Sequence, residues 1–131
     1  MARNPRRLLI VDDSEITRAL LRTLLRGEEY DVVGEACNGE QAVEMAQRLK
    51  PEIVCLDVDM PKMGGLDALA KIRKLLPRTA VLMVTAHTER ETVQTAIAGG
   101  AAGYIVKPFN SGRVLAAIAA AVARIPRKTT K

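Results

Sequence analysis

The chain has 131 residues, 48% apolar and 27% charged, with a formal net charge of +5, which suits one soluble globular domain around one core. No apolar stretch approaches ~18 residues, which argues against a transmembrane helix. The two cysteines, Cys37 and Cys55, match neither a CxxC motif nor a metal cluster.

Five short apolar runs alternate with five helical patterns. The first strand is expected over Leu8–Asp12. The stretch 14–26, SEITRALLRTLLR, then repeats Leu and Ile at helical spacing, and Gly27 stops it. A second strand is expected over Val32–Ala36, followed by a helix over 39–49 with Asn38 as N-cap and Pro51 preventing continuation. The third strand reads Ile53–Asp57, and its helix runs 65–76 between Gly64-Gly65 and Pro77. The fourth strand reads Ala80–Thr85. Thr88-Glu89-Arg90-Glu91 is a capping box for a helix that Gly99-Gly100 closes. Gly103–Val106 is the fifth strand, and the last helix spans about 111–124 and stops before Pro126. Four of the strands are nearly continuous apolar, as strands covered on both faces are. Strict β-α alternation implies a parallel sheet with helices on both faces. The expected division is a basic tail over 1–7, one domain over 8–124, and a basic tail or linker start over 125–131, with the part after Pro126 expected to be disordered.

The charge is unevenly placed. Arg3, Arg6, Arg7, Arg124, Arg127, Lys128 and Lys131 sit in end segments without acids. Removing these seven from 20 basic residues leaves 13 against 15 acidic residues, so the body is slightly acidic. With only Tyr30, Tyr104 and Phe109 as aromatics and no Trp, the stacking platform of a single-strand binder is missing, and no direct nucleic-acid contact is expected. The start, MARNPRRLLIVDD, meets two aspartates instead of a cleavage site, so no signal peptide is expected, and the cytoplasm is the expected compartment.

In a parallel sheet all strand ends share one edge, where open α/β sheets bind ligands at the switch point of strand order. With the order 2-1-3-4-5, taken from known five-stranded doubly wound sheets, strand 1 lies beside strand 3. Asp12, Asp13 and Asp57 then crowd into one pocket. At ~4 Å and an effective dielectric of about 20, each like-charge pair costs on the order of 4 kcal/mol, so some protonate or a cation binds. Hard oxygen ligands at an open edge suit Mg²⁺. Lys107 brings a positive charge from two strands away, ~10 Å by strand spacing, and Thr85 brings a hydroxyl donor. These groups make a phosphoryl site in which Asp57 can be the nucleophile. The same order keeps the strands preceding Cys37 and carrying Cys55 ~10 Å apart, beyond disulfide reach, so two free thiols are expected.

Together, LLIVDDS, IVCLDVDMPKMGG, VLMVTAH and GYIVKPF closely resemble the receiver domain of bacterial two-component response regulators, over roughly residues 8–124. The resemblance implies a flavodoxin-like fold and Asp57 as acceptor of a phosphoryl group from a sensor histidine kinase or phosphotransfer protein. It implies Asp13 and Asp57 as direct Mg²⁺ ligands with the backbone carbonyl of Asp59, and Asp12 acting through water. Lys107 would pair with phosphoryl oxygens, with Lys107-Pro108 a cis peptide. Thr85 would move to the phosphoryl group, Tyr104 would turn inward, and Ala86 would leave room. The output face would be helix 4, strand 5 and helix 5, with Ala96 and Ala98 making it flat, for docking as in chemotaxis or phosphorelay regulators. The protein would be a switch, not a turnover enzyme, and a monomer or phosphorylation-dependent dimer.

Other readings compete locally. Asp13 or Ser14 can cap helix 1, Thr85 can simply end a strand, and Tyr104 can be plain core or surface. Met60 and Met63 read as loop-packing residues. His87, the only histidine, is expected to flank the site with Asp59 and tune hydrolysis of the acyl phosphate. LDVDM also resembles the D-x-D motif of haloacid-dehalogenase-type phosphatases, with Asp59 as general acid, but that motif normally follows the first strand of a larger fold. The expected context is a stand-alone regulator, the alternative being the receiver part of a longer, DNA-binding one.

Overall fold

The computed structural model describes residues 5–86 and 90–123. Strands β1 (Arg6–Val11), β2 (Tyr30–Ala36), β3 (Ile53–Leu56), β4 (Ala80–Thr85) and β5 (Gly103–Val106) alternate with helices α1 (Glu15–Leu25), α2 (Gly39–Leu49), α3 (Gly65–Leu75), α4 (Arg90–Ala98) and α5 (Ser111–Val122). All strand pairs are parallel, in the order β2-β1-β3-β4-β5, as expected.

Alternation along the strands splits the core in two. Leu9, Val11, Val54, Leu56, Val81 and Met83 face α2, α3 and α4 through Ala42, Ala46, Leu69, Ile72 and Ala96. Leu8, Ile10, Ile53, Cys55, Leu82 and Val84 face α1 and α5 through Leu21, Leu25, Val114 and Ile118. β3 and β4 are buried throughout, which explains their uninterrupted apolar runs. β5 is as apolar in sequence but stands at the sheet edge, and only Ile105 is buried.

Several boundaries differ from the sequence reading. β1 and β3 stop one residue before Asp12 and Asp57, and β1 takes in Arg6 and Arg7, two residues of the expected tail. Arg6 is held there by Glu52 at 2.8 Å. Ser14 caps α1 by accepting the Thr17 N–H, and Asn38 caps α2 by accepting the Gln41 N–H. Ala96 is fully buried under α4, so it cannot form a flat outer face; Ala98 and Ile97, the latter 53% exposed, point outward. Both cysteines are free, and Met60 and Met63 pack against the α2–α4 side of the core. Thr88, Glu89, His87 and the segment from 124 onward lie outside the described residues. Among the described residues, no helix is long and apolar enough to cross a membrane.

One close approach ties the fold to the strand ends. A Cβ on Gly65 would stand 1.9 Å from the Asp57 carbonyl oxygen, whereas one on Gly64 would meet nothing nearer than the Val58 carbonyl oxygen at 3.4 Å. The first turn of α3 therefore rests on the backbone of Asp57 and Val58, and the Gly65 N–H donates to the Val58 carbonyl at 2.7 Å. Gly65→Ala is expected to lower stability by roughly 2–3 kcal/mol through forced displacement of packed backbone. Gly64→Ala is expected to lower it by less than about 1 kcal/mol. Urea midpoints of the two variants measure the contrast.

Candidate functional site

The sheet ladder aims the carboxylates. The Asp57 N–H donates to the Val11 carbonyl and the Asp12 N–H to the Ala36 carbonyl, each at 3.0 Å. Each aspartate thus takes one backbone bond past its strand, on a rigid, buried base. Carboxylate oxygens of Asp12, Asp13 and Asp57 lie within 4.8 Å of one another. Asp12 and Asp57 are 1% and 5% exposed, and Asp13 is open to solvent. Lys107 comes from just past β5, crossing β4, and its Nζ lies 2.9 Å from Asp12 Oδ2 and 3.6 Å from Asp57 Oδ1. Its hydrogen bond goes to Asp12.

The electrostatics follow from that crowding. Burial, and then the Asp12 charge, push the Asp57 carboxyl up to about 6, with Asp13 adding to the rise and Lys107 opposing it. Burial alone would lower the Lys107 ammonium. The Asp12 hydrogen bond and the Asp57 and Asp12 charges outweigh burial and raise it, so Lys107 remains a fixed cation. Cys55, in the core on the neighbouring strand stretch, is pushed up to about 12 by burial and is chemically quiet. Three hard oxygen donors around one point, two of them buried and short of positive charge, fit a small divalent cation.

A second set of residues orients the first. The Ser14 N–H donates to Asp12 Oδ1 at 2.8 Å, fixing that carboxylate at the start of α1. Arg18 Nη1 donates to the Asp12 backbone carbonyl at 2.7 Å, and its Nε donates to Glu35 at 3.2 Å. Glu35 also accepts from Arg22, so α1 and β2 together clamp the Asp12-Asp13 turn. The sequence reading missed Arg18 and Glu35. Seventeen residues separate them, and neither stands out on its own element.

The other expected residues take definite places. Thr85 ends β4 fully buried, with a bonded partner. Ala86 follows it on the surface. Tyr104 is half-buried on β5, opposite Met83, and packs on the α2–α4 side of the core. Asp59 is exposed, and with Asp13, Val58, Met60, Pro61 and Gly64 it lines a cleft of about 380 Å³. Lys107-Pro108 is a cis peptide, as expected, and Pro108 is exposed. His87 lies outside the described residues.

An acidic triad at the switch point of a 2-1-3-4-5 sheet, with a lysine reaching it from the fifth strand, is joined by a decisive comparison: the response regulator receiver domain matches residues 8–119. The chain belongs to that family. Receiver domains work in phosphorelay signalling. Among curated relatives, Thermotoga maritima chemotaxis protein CheY is 42% identical over 113 residues, covering 86% of this chain and 94% of that protein. Mycobacterium tuberculosis transcriptional regulatory protein PdtaR is 41% identical over 122 residues, covering 92% of this chain and 58% of that protein. Among solved structures, the response regulator domain of Thermotoga maritima CheB superposes with a TM-score of 0.86 at 34% identity, covering 93% of this receiver chain and 99% of that one. The Borrelia burgdorferi CheX-CheY-BeF3-Mg+2 complex does so at 0.85 and 33%, covering 87% of each chain.

The pH dependence of stability follows from the buried Asp57 carboxylate. With the folded Asp57 carboxyl near 6 and its ordinary value at 3.8, the folded state holds the proton more tightly than the unfolded one. That contribution is present below the ordinary value and is lost as pH rises through the folded value. In chelator-containing buffer, Asp57→Asn is therefore expected to be more stable than wild type at pH ~7.5 by roughly 1–3 kcal/mol, the gap closing toward pH ~4. Urea denaturation across that range measures it, and a pH-independent gap would contradict the argument.

Proposed function

We propose that this receiver accepts a phosphoryl group on Asp57 from the phosphohistidine of a sensor kinase or phosphotransfer protein, with Mg²⁺ as cofactor. The observation carrying the reading is the convergence of Asp12, Asp13 and Asp57 with Lys107 on one open edge. Asp13 and Asp57, with the Asp59 backbone carbonyl, would hold the ion directly, and Asp12 through water. When bound, Mg²⁺ neutralises the carboxylates and the phosphoryl oxygens.

The residues supply the rest. An ionised Asp57 oxygen attacks phosphorus in line, a P–O bond forms as the donor's P–N bond breaks, and the imidazole leaves with its electron pair. The Lys107 ammonium neutralises charge on the transferred group. Hydrolysis reverses the modification slowly: water attacks phosphorus, phosphate leaves and the Asp57 carboxylate returns. No substrate beyond this self-modification is turned over, so the protein is a switch and not an enzyme. Ile16 and Leu20, 74% and 52% exposed and one turn apart on α1 beside the site, suit docking of the donor protein.

Phosphorylation adds charge and acceptor oxygens. Thr85 and Lys107 turn to meet them, Ala86 leaves room, and Tyr104 shifts toward an inward rotamer, changing the population of α4–β5–α5 surfaces that a downstream protein docks on. The fit to CheY over nearly its whole length supports action by docking alone. The match to part of the longer PdtaR supports the alternative of a receiver gating an attached domain. The protein acts in the cytoplasm without membrane insertion, as a monomer or phosphorylation-dependent dimer, and without direct nucleic-acid contact.

Incubation with Mg²⁺ and acetyl phosphate is expected to add one phosphoryl group by intact mass to wild type and none to Asp57→Asn. Modification of both, or steady release of p-nitrophenol from p-nitrophenyl phosphate, would overturn the switch reading. Arg18→Ala retains every carboxylate but frees the Asp12 turn, and is expected to weaken Mn²⁺ binding about tenfold by calorimetry. Asp59→Asn and His87→Ala are each expected to alter the dephosphorylation rate; unchanged rates in both would remove them from hydrolysis.

A further inference from the structure

The strands run in one direction and the helices return, so helix C-termini and strand starts share the edge opposite the phosphorylation site. That edge gathers cations. Arg26 and Lys50 cap α1 and α2, Arg73 and Lys74 close α3, and Arg78 precedes β4. Basic residues at helix C-termini complement the helix dipole, which accounts for several of them without a ligand. It does not account for Arg78, which is on no helix.

At the β4–β5 end of this edge lies a groove of about 370 Å³. Part of its lining is apolar: Ile97, 53% exposed, with Ala101, Ala102 and Ala121. Arg73 and Arg78 stand on its wall. Arg73 Nη1 donates to the carbonyls of Pro77 at 2.8 Å and Thr79 at 3.0 Å. Those neutral acceptors fix the guanidinium without cancelling its charge. Gly100, at φ +99°, lets the Arg73 stem cross the turn after α4; a Cβ there would stand 2.8 Å from Arg73 Nε. The carboxylate on the neighbouring strand start, Glu52, is already paired with Arg6 at 2.8 Å. Among the described residues, no ion pair reaches Arg73 or Arg78. The other acids of this edge, Glu28 and Glu29 before β2 and Asp31 at the start of it, lie at its far end.

We propose that this groove docks an acidic segment of a partner protein that carries a leucine-like side chain. The partner's carboxylates meet Arg73 and Arg78, and its apolar side chain covers Ile97 and the alanines. Charge complementarity selects the acids, and the apolar lining discriminates against a simple polyanion, which has nothing to bury there. The absence of tryptophan and scarcity of other aromatics leave nucleic acid without a stacking surface. The groove borders the α4–β5–α5 face, so the inference deepens the proposed output reading and rests on it for its place in signalling. Peptide binding itself does not require Asp57 chemistry.

The test uses unphosphorylated, nitrogen-15-labelled protein and a blocked octapeptide of two leucines spaced by glutamate pairs, with its glycine-for-leucine counterpart. Saturable amide shifts are expected at Ile97, Gly100, Ala101 and Ala121. The counterpart is expected to bind at least about threefold more weakly, and Arg78→Glu to weaken the leucine peptide about tenfold. Equal shifts from both peptides, an unaffected Arg78→Glu, or stronger shifts at these amides from duplex DNA or phosphatidylserine vesicles would overturn the proposal. Phosphorylation of Arg78→Glu by acetyl phosphate, read by mass, is expected to match wild type. Peptide binding by a protein that acetyl phosphate fails to modify at Asp57 sinks the signalling reading alone. Phosphorylation without groove shifts sinks this inference alone.

Discussion

Three carboxylates within 4.8 Å of one another are the constraint around which this molecule is built. At such spacing each ionised pair costs on the order of 4 kcal/mol at an effective dielectric of about 20, and burial of Asp12 and Asp57 adds to that cost. The fold answers with Lys107, brought across two strands, β4 and β3, to hydrogen-bond Asp12. One lysine cannot neutralise three acids. The remaining deficit is what makes the pocket receptive to a cation.

Holding such a cluster together requires a base that does not yield. β1 and β3 provide it, buried in their central residues and covered by helices on both faces. The aspartates emerge one residue past these strands, still tied to the ladder by their own N–H groups. Above them, α3 presses on the Asp57 backbone through Gly65, while Ser14, Arg18 and Glu35 hold the Asp12 turn. The other side of the site is built differently. Lys107 and Tyr104 belong to β5 and its exit, an edge strand with a single buried residue. Asp57 therefore has a stiff wall on one side and a less constrained one on the other.

Charge is also segregated along the strand direction. Asp12, Asp13 and Asp57 gather where strands end, and cations rim the edge where strands begin. Parallel topology makes this possible, because it separates strand ends from helix ends across the whole domain. The net charge of +5 is thus a poor description of either pole.

Much was legible in the chain because it is encoded locally. Alternation of apolar runs and helical stripes marks ten elements, Ser14 and Asn38 announce helix starts, and short polar residues at strand ends mark the reactive edge. Four motifs in order then identify the family that the comparison confirms. What the chain alone does not encode are meetings between distant residues. That Lys107 chooses Asp12 as its hydrogen-bond partner, that Arg18 clamps the Asp12 carbonyl while gripping Glu35, that Ala96 turns inward while Ile97 turns out, and that Arg73 crosses Gly100 to wall a groove were all settled by tertiary structure. Local periodicity says which face of an element is apolar. Strand order, register and helix rotation decide what that face, and the polar groups beside it, will touch.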